Sequence, residues 1–196
     1  MKILDGKKVS QDIKDEIKIL VDQLKIKNKR PPHLAAILVG IDGASLTYVS
    51  SKVKACNQVG FKSSLFKFDE KTTENELLKH IETLNLDKEI DGFIVQLPLP
   101  KQIDEEKVLL SISPEKDVDG FHPLNFGKMA LEMDSFIPAT PYGIIELLNR
   151  YQINTKGKHC VVLGRSQIVG RPISILMSQK IKSGNETVTL DQSKKK

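Results

Sequence analysis

Between Val9 and Leu24 the apolar residues Val9, Ile13, Ile17, Leu20 and Leu24 recur every three or four positions, which predicts a helix with one buried face. Pro31-Pro32 ends that element. His33 to Val39 is then a short apolar run closed by Gly40 and Gly43, the pattern of a buried strand. Ser45 to Val59 lacks breakers and predicts a second helix, with Gly60 where a C-terminal glycine belongs. Phe61 to Phe68 reads as a second strand. Thr73 and Glu76 have capping-box spacing ahead of Leu77, Leu78, Ile81 and Leu84. Asp91-Gly92 leads into a third strand, Phe93 to Gln96, which stops at Leu97-Pro98-Leu99-Pro100.

A short helix is expected from Asp104 to Ile112, followed by a loop-rich stretch from Ser113 to Ala139. Thr140-Pro141 reads as an N-cap with proline in the first turn, opening a helix to about Tyr151. Lys158 to Leu163 predicts a strand, a glycine-bounded turn follows, and a helix then runs to about Lys180. Thr187 to Leu190 is expected as one more strand. Strand and helix alternate throughout, so the fold class is α/β with parallel strands.

Composition narrows the function. The chain has 196 residues, 39% hydrophobic, enough for a packed core. Its 30 basic and 25 acidic residues give a net charge of +5, and three of those charges are Lys194, Lys195 and Lys196. With scattered lysines, no tryptophan and 5% aromatics, nothing argues for nucleic acid as a partner. No apolar run approaches the ~18 residues of a membrane helix. Asp5 and Gly6 interrupt any signal segment near Met1. Cys56 and Cys160 share no motif with a second cysteine, which suits a reducing compartment, and the cytoplasm is expected. No metal site is implied.

Candidate chemistry is concentrated in a few places. Gly164-Arg165-Ser166-Gln167-Ile168-Val169-Gly170-Arg171-Pro172 lies between an expected strand and helix, where dinucleotide-binding folds place a phosphate turn with free backbone N–H groups. Ser166 stands where the strict motif has its second glycine, so an ordinary strand-to-helix turn is an equal reading from spacing alone. Arg165 and Ser166 favour the extra 2′-phosphate of NADP. Tyr48 and Lys52 are four apart and share one helix face. They are a candidate general acid/base pair, or else a solvated lysine beside a tyrosine at the core's edge. Gln96 sits at the carboxyl end of a strand, where open α/β sheets bind ligands. Asp119 lies in a loop bounded by glycine and proline, where an Asx turn is the plain alternative. His122, next to Pro123, reads as structural.

Five segments occur in order: Tyr48-Val49-Ser50-Ser51-Lys52, Gly92 to Pro100, Pro114 to Gly120, Pro138-Ala139-Thr140-Pro141, and Gly164 to Gly170. Together they resemble the bifunctional methylenetetrahydrofolate dehydrogenase/methenyltetrahydrofolate cyclohydrolase family, from Met1 nearly continuously to Leu190. The resemblance implies an N-terminal three-layer parallel-sheet domain over residues 1–138 that binds folate. The first part of a Rossmann-like NADP-binding domain would follow over residues 139–196. It implies NADP-dependent oxidation of 5,10-methylene-tetrahydrofolate to the methenyl form and hydrolysis to 10-formyl-tetrahydrofolate. Lys52 would be the central catalytic residue, Tyr48 would stack on or bond to the folate, and Gln96 would hold Lys52. Asp119 would grip the pterin's amino-pyrimidine edge, with Ser45 on the folate side. Gly164, Arg165 and Ser166 would hold the NADP phosphates, and Ile168 and Gly170 would shape the turn. Tetrahydrofolate derivatives are the expected partners, and the intact family form is a homodimer.

The match stops near the end. Asp191-Gln192-Ser193-Lys194 stands where the family has Cys-His-Ser and a basic residue, so Ser193 aligns with a cofactor serine among unlike neighbours. Read without the family, Asp191 falls where an acidic residue would take the ribose of NAD. NADP is preferred, because Arg165-Ser166 lie in matched sequence. Only two strands follow Tyr151, against roughly six in a complete dinucleotide-binding sheet, so the chain is expected to be C-terminally truncated. The alternative expectation is a catalytically impaired remnant that binds folate or a subunit.

Overall fold

The computed structural model describes residues 3–40, 43–181 and 183–192. Contacts divide the chain into two compact units, Ser10–Val118 and Met1–Val9 with Asp119–Lys196.

The first unit holds most of helix α1 (Gly6–Ile26), then β1 (His33–Val39), α2 (Gly43–Val59), β2 (Lys62–Phe68), α3 (Glu74–Leu86), β3 (Gly92–Val95) and α4 (Glu105–Ser111). The three strands form a parallel sheet in the order β2-β1-β3, with Ala36 facing Leu65 on one side and Ile94 on the other. A central parallel strand is covered on both faces, which is why β1 is an unbroken apolar run. Side chains alternate across it. Ala35, Ile37 and Val39 join Leu77, Ile81 and Leu84 of α3, Phe93 and Val95 of β3, and Val108 of α4 in one core. Ala36, Leu38 and Ile94 meet Val49 of α2 on the other face, with Leu46 and Val53 beside them. The result is three layers, as expected. The capping box forms: Thr73 accepts from the Glu76 amide, and the Glu76 carboxylate accepts from the Thr73 amide at 2.9 Å.

The second unit contains α5 (Pro123–Ala130), α6 (Ala139–Arg150), β4 (His159–Leu163), α7 (Gly170–Ser178) and β5 (Thr187–Asp191). β4 and β5 pair in parallel, so β4, α7 and β5 make one strand–helix–strand unit. Ile173, Leu176 and Met177 of α7 pack with Met129 and Ile145, and Cys160, Val162 and Val188 lie against them.

Two expectations need correction. Residues 113–139 are not all loop, because α5 lies within them. His122 caps it by accepting the Leu124 amide at Nδ1 (3.1 Å), and Pro123 needs no amide partner in the first turn. Its apolar anchor is Met129, too isolated to show a period. Nor is Thr140 the cap of α6: the helix begins at Ala139 after Pro138, without a side-chain cap, and Thr140 lies inside its first turn. Among the described residues no helix is long and apolar enough to cross a membrane.

Candidate active site

Helix α2 turns Leu46, Val49 and Val53 toward the sheet. Ser45, Tyr48 and Lys52, spaced three and four apart, therefore form a different stripe of the helix. Ser45 is buried, Tyr48 is 53% exposed and Lys52 is half-buried. The Lys52 Nζ lies 5.0 Å from the centroid of the Tyr48 ring. That distance is within cation–π range, worth about 0.5–1 kcal/mol at an exposed site. The pair expected from spacing alone is thus brought together as a phenol and an ammonium in contact.

Gln96 follows the last residue of β3, one position earlier in strand terms than expected, and its amide still donates to Ile37 O at 2.9 Å. Its Nε2 donates to Leu97 O at 2.7 Å, and its Oε1 is buried with no hydrogen-bond partner. A buried carbonyl left unpaired costs about 1–3 kcal/mol, so this oxygen is an acceptor awaiting a donor. The expected hold of Gln96 on Lys52 is therefore not a hydrogen bond to Oε1 here. Asp119, half-buried, opens the longer stretch of the second compact unit, whereas Ser45, Tyr48, Lys52 and Gln96 all belong to the first.

The turn from Gly164 to Gly170 is closed by backbone. Gly164, at φ 115°, donates its amide to Asp191 O at 2.9 Å. A Cβ on Gly170 would lie 1.9 Å from Gly164 O, so no side chain fits there. The Ser166 Oγ accepts the amides of Val169 (3.1 Å) and Gly170 (3.2 Å). Ser166 O takes the Arg171 amide at 3.0 Å, and Pro172 has none. The free N–H groups expected at this helix start are therefore largely used internally, because Ser166 caps the helix from within the turn. Serine followed by a helix three to four residues on was the available signal.

What remains outward is the exposed Arg165, the exposed Ser166, whose hydroxyl keeps its proton to donate, and exposed Ile168. At Gly164 a Cβ would meet nothing within 4 Å, so the strand end is open to an approaching group. A guanidinium, a hydroxyl and an open glycine fit a phosphorylated dinucleotide. The Asp191 Oδ1 accepts the Gln192 amide at 2.8 Å. Ser193 lies outside the described residues.

Neither cysteine is primed as a nucleophile. Burial pushes the Cys56 thiol up, and burial followed by the Glu186 carboxylate does the same to Cys160.

Comparison with known proteins places the chain in a family. Residues 4–119 match the family described as tetrahydrofolate dehydrogenase/cyclohydrolase, catalytic domain, and residues 138–196 match its NAD(P)-binding domain. The bifunctional protein FolD of Flavobacterium psychrophilum is 65% identical over 193 residues, covering 98% of this chain and 66% of that relative. The chain thus spans about two thirds of the length of the curated relatives it matches. The crystal structure of the bifunctional enzyme FolD from Campylobacter jejuni superposes with a TM-score of 0.94 at 45% identity, over all of this chain and 68% of that one. The FolD of Trypanosoma brucei, complexed with NADP cofactor and inhibitor, has a TM-score of 0.91 at 33% identity, over 98% of this chain and 64% of that one. With both family models matched in order, and a relative at 65% identity, the chain belongs to the tetrahydrofolate dehydrogenase/cyclohydrolase family.

Proposed function

We propose that this chain carries the folate chemistry of its family. That chemistry is NADP-dependent oxidation of 5,10-methylene-tetrahydrofolate to 5,10-methenyl-tetrahydrofolate, followed by hydrolysis of that cation to 10-formyl-tetrahydrofolate. The observation that supports it best is the Lys52–Tyr48 pair, an ammonium 5.0 Å from an accessible phenol ring. A flat pterin needs a ring to lie on, and the reacting carbon needs a group that moves protons.

On this reading residues 1–138 form the folate-binding domain and residues 139–196 the first part of the NADP-binding domain. NADP would supply the hydride acceptor. Arg165 and Ser166 would hold its phosphates, with Gly164, Ile168 and Gly170 shaping the turn, and Ser193 is assigned to the same cofactor. Ser45 and Tyr48 contact the folate. Asp119 accepts two N–H bonds from the amino-pyrimidine edge, a bidentate pairing that a carboxylate suits. In the hydrolytic step water adds to the methenyl carbon. Lys52, reacting as the neutral amine beside the cationic substrate, accepts the proton that the water sheds. It gives a proton to the ring nitrogen as the C–N bond opens, and takes the one the new hydroxyl loses as it becomes the formyl oxygen. Gln96 orients Lys52, its buried Oε1 accepting an N–H of the neutral amine once the substrate is in place, which leaves the nitrogen lone pair facing the water. The reading carries with it a cytoplasmic homodimer acting on tetrahydrofolate derivatives.

The test follows loss of methenyl-tetrahydrofolate absorbance with the purified chain. Lys52→Met is expected to abolish the enzyme-dependent rate while leaving the circular dichroism spectrum unchanged. Hydrolysis at the unsubstituted rate by that variant overturns the assignment.

A further inference from the structure

Helix α3 ends without a basic residue in its last turn, and its C-cap Asp87 has no positive side chain to offer. The terminal carbonyls of such a helix need donors, and its dipole favours a cation there. The cation comes from elsewhere in the chain. Lys116 Nζ donates to Leu84 O at 2.7 Å and to Asp87 O at 2.5 Å.

The backbone around Lys116 is fixed as firmly. Phe93 donates its amide to Lys116 O at 2.9 Å, and Asp117 bridges Phe93 in parallel, extending the sheet beside β3. Val118 lies against Gly92, where a Cβ would come within 2.3 Å of Val118 Cγ1. Asn85, also on α3, donates to Ser111 O and accepts from the Ser113 amide, both at 2.8 Å. Residues 116–118 therefore run parallel to β3, toward the strand end that carries Gln96. The next residue in the chain is Asp119.

We infer that Lys116 is a positioning residue for folate recognition: by clamping the 113–118 segment to the end of α3, it sets where the Asp119 carboxylate emerges. The inference rests on the reading of Asp119 as the pterin-binding carboxylate. Lys116 itself faces helix carbonyls.

The experiment titrates the full 196-residue chain with 5-formyltetrahydrofolate by calorimetry and records thermal unfolding of each variant. Lys116→Met is expected to weaken binding roughly tenfold, the size typical of coupled neighbouring positions. Lys116→Arg, which keeps a cation in reach of the carbonyls, stays within about threefold of the unsubstituted chain. In the Asp119→Ala background, Lys116→Met adds no further loss. Should Lys116→Met fail to fold, Asn85→Ser loosens the same segment without removing a charge and carries the same expectation. A lowered unfolding midpoint with unchanged affinity overturns the inference, as does a full tenfold loss added on top of Asp119→Ala. If Asp119→Ala itself binds normally, the pterin reading of Asp119 fails instead. If the unsubstituted chain does not bind, both fall.

Discussion

His80 shows how much one side chain's surroundings decide. It projects from α3 between Phe66 and Phe68, ring centroids 4.5 and 5.0 Å away in edge-on geometry. Its Nε2 is buried without a hydrogen-bond partner. Burial disfavours the imidazolium and holds the group below its ordinary 6.5. The folded chain therefore binds that proton less readily than the unfolded chain. Stability from this source is complete above 6.5 and is lost as pH falls below it. Asp91, held low by Arg30, and Glu74, held low by Lys107, respond only below their ordinary values of 3.8 and 4.5. Urea midpoints measured from pH about 7.5 down to about 5.5 should fall, and His80→Phe should remove that slope. An unchanged slope in the variant would assign the effect to another group. At this scale the sequence was informative where the chemistry depends on helical spacing. Tyr48 and Lys52 could be paired from numbers alone. The Lys116 clamp could not, because its partners are carbonyls 32 and 29 residues away.

At the scale of elements, legibility followed the strength of the local signal. β1 was readable to the residue because an apolar run with glycine after it has one interpretation in a buried parallel sheet. The capping box of α3 was readable because both partners lie in one turn. Helix α5 was not, since its cap is a histidine and its buried face rests on Met129 and Asn125, an apolar and a polar residue four apart. The start of α7 was half readable. Glycine at 170 was expected, but the reason is a backbone approach from Gly164 that only the folded turn reveals. Gly170→Ala must push Gly164 O away from a contact of 1.9 Å. Overpacking of this kind costs about 1–3 kcal/mol. The variant should unfold at a lower temperature and lose the Ser166 bonds to the Val169 and Gly170 amides. Protection of those two amides in hydrogen exchange reads this directly. Protection equal to the unsubstituted chain would mean that the turn absorbs a methyl group by shifting.

Across the whole molecule, the proposed folate residues on α2 and after β3 belong to one compact unit and the proposed phosphate residues to the other. Each unit has its own apolar cluster, so a surface substitution in one should leave the other's packing intact. Arg165 is exposed on the turn after β4, and its replacement creates no cavity. A guanidinium gains most from a dianionic phosphate, so its largest contribution should be to the 2′-phosphate that distinguishes NADP from NAD. Loss of one such charge-assisted bond costs about 1.5–3 kcal/mol, roughly ten- to hundredfold in affinity. Arg165→Ala should therefore weaken NADP binding by that factor, change NAD binding far less, and leave 5-formyltetrahydrofolate binding unaltered. Raising salt should shrink the NADP difference between variant and parent, because the lost contact is exposed and screened. Equal weakening of NADP and NAD would place Arg165 on the shared pyrophosphate instead. A loss of folate affinity in the same variant would show that Arg165 does more than hold the cofactor phosphate.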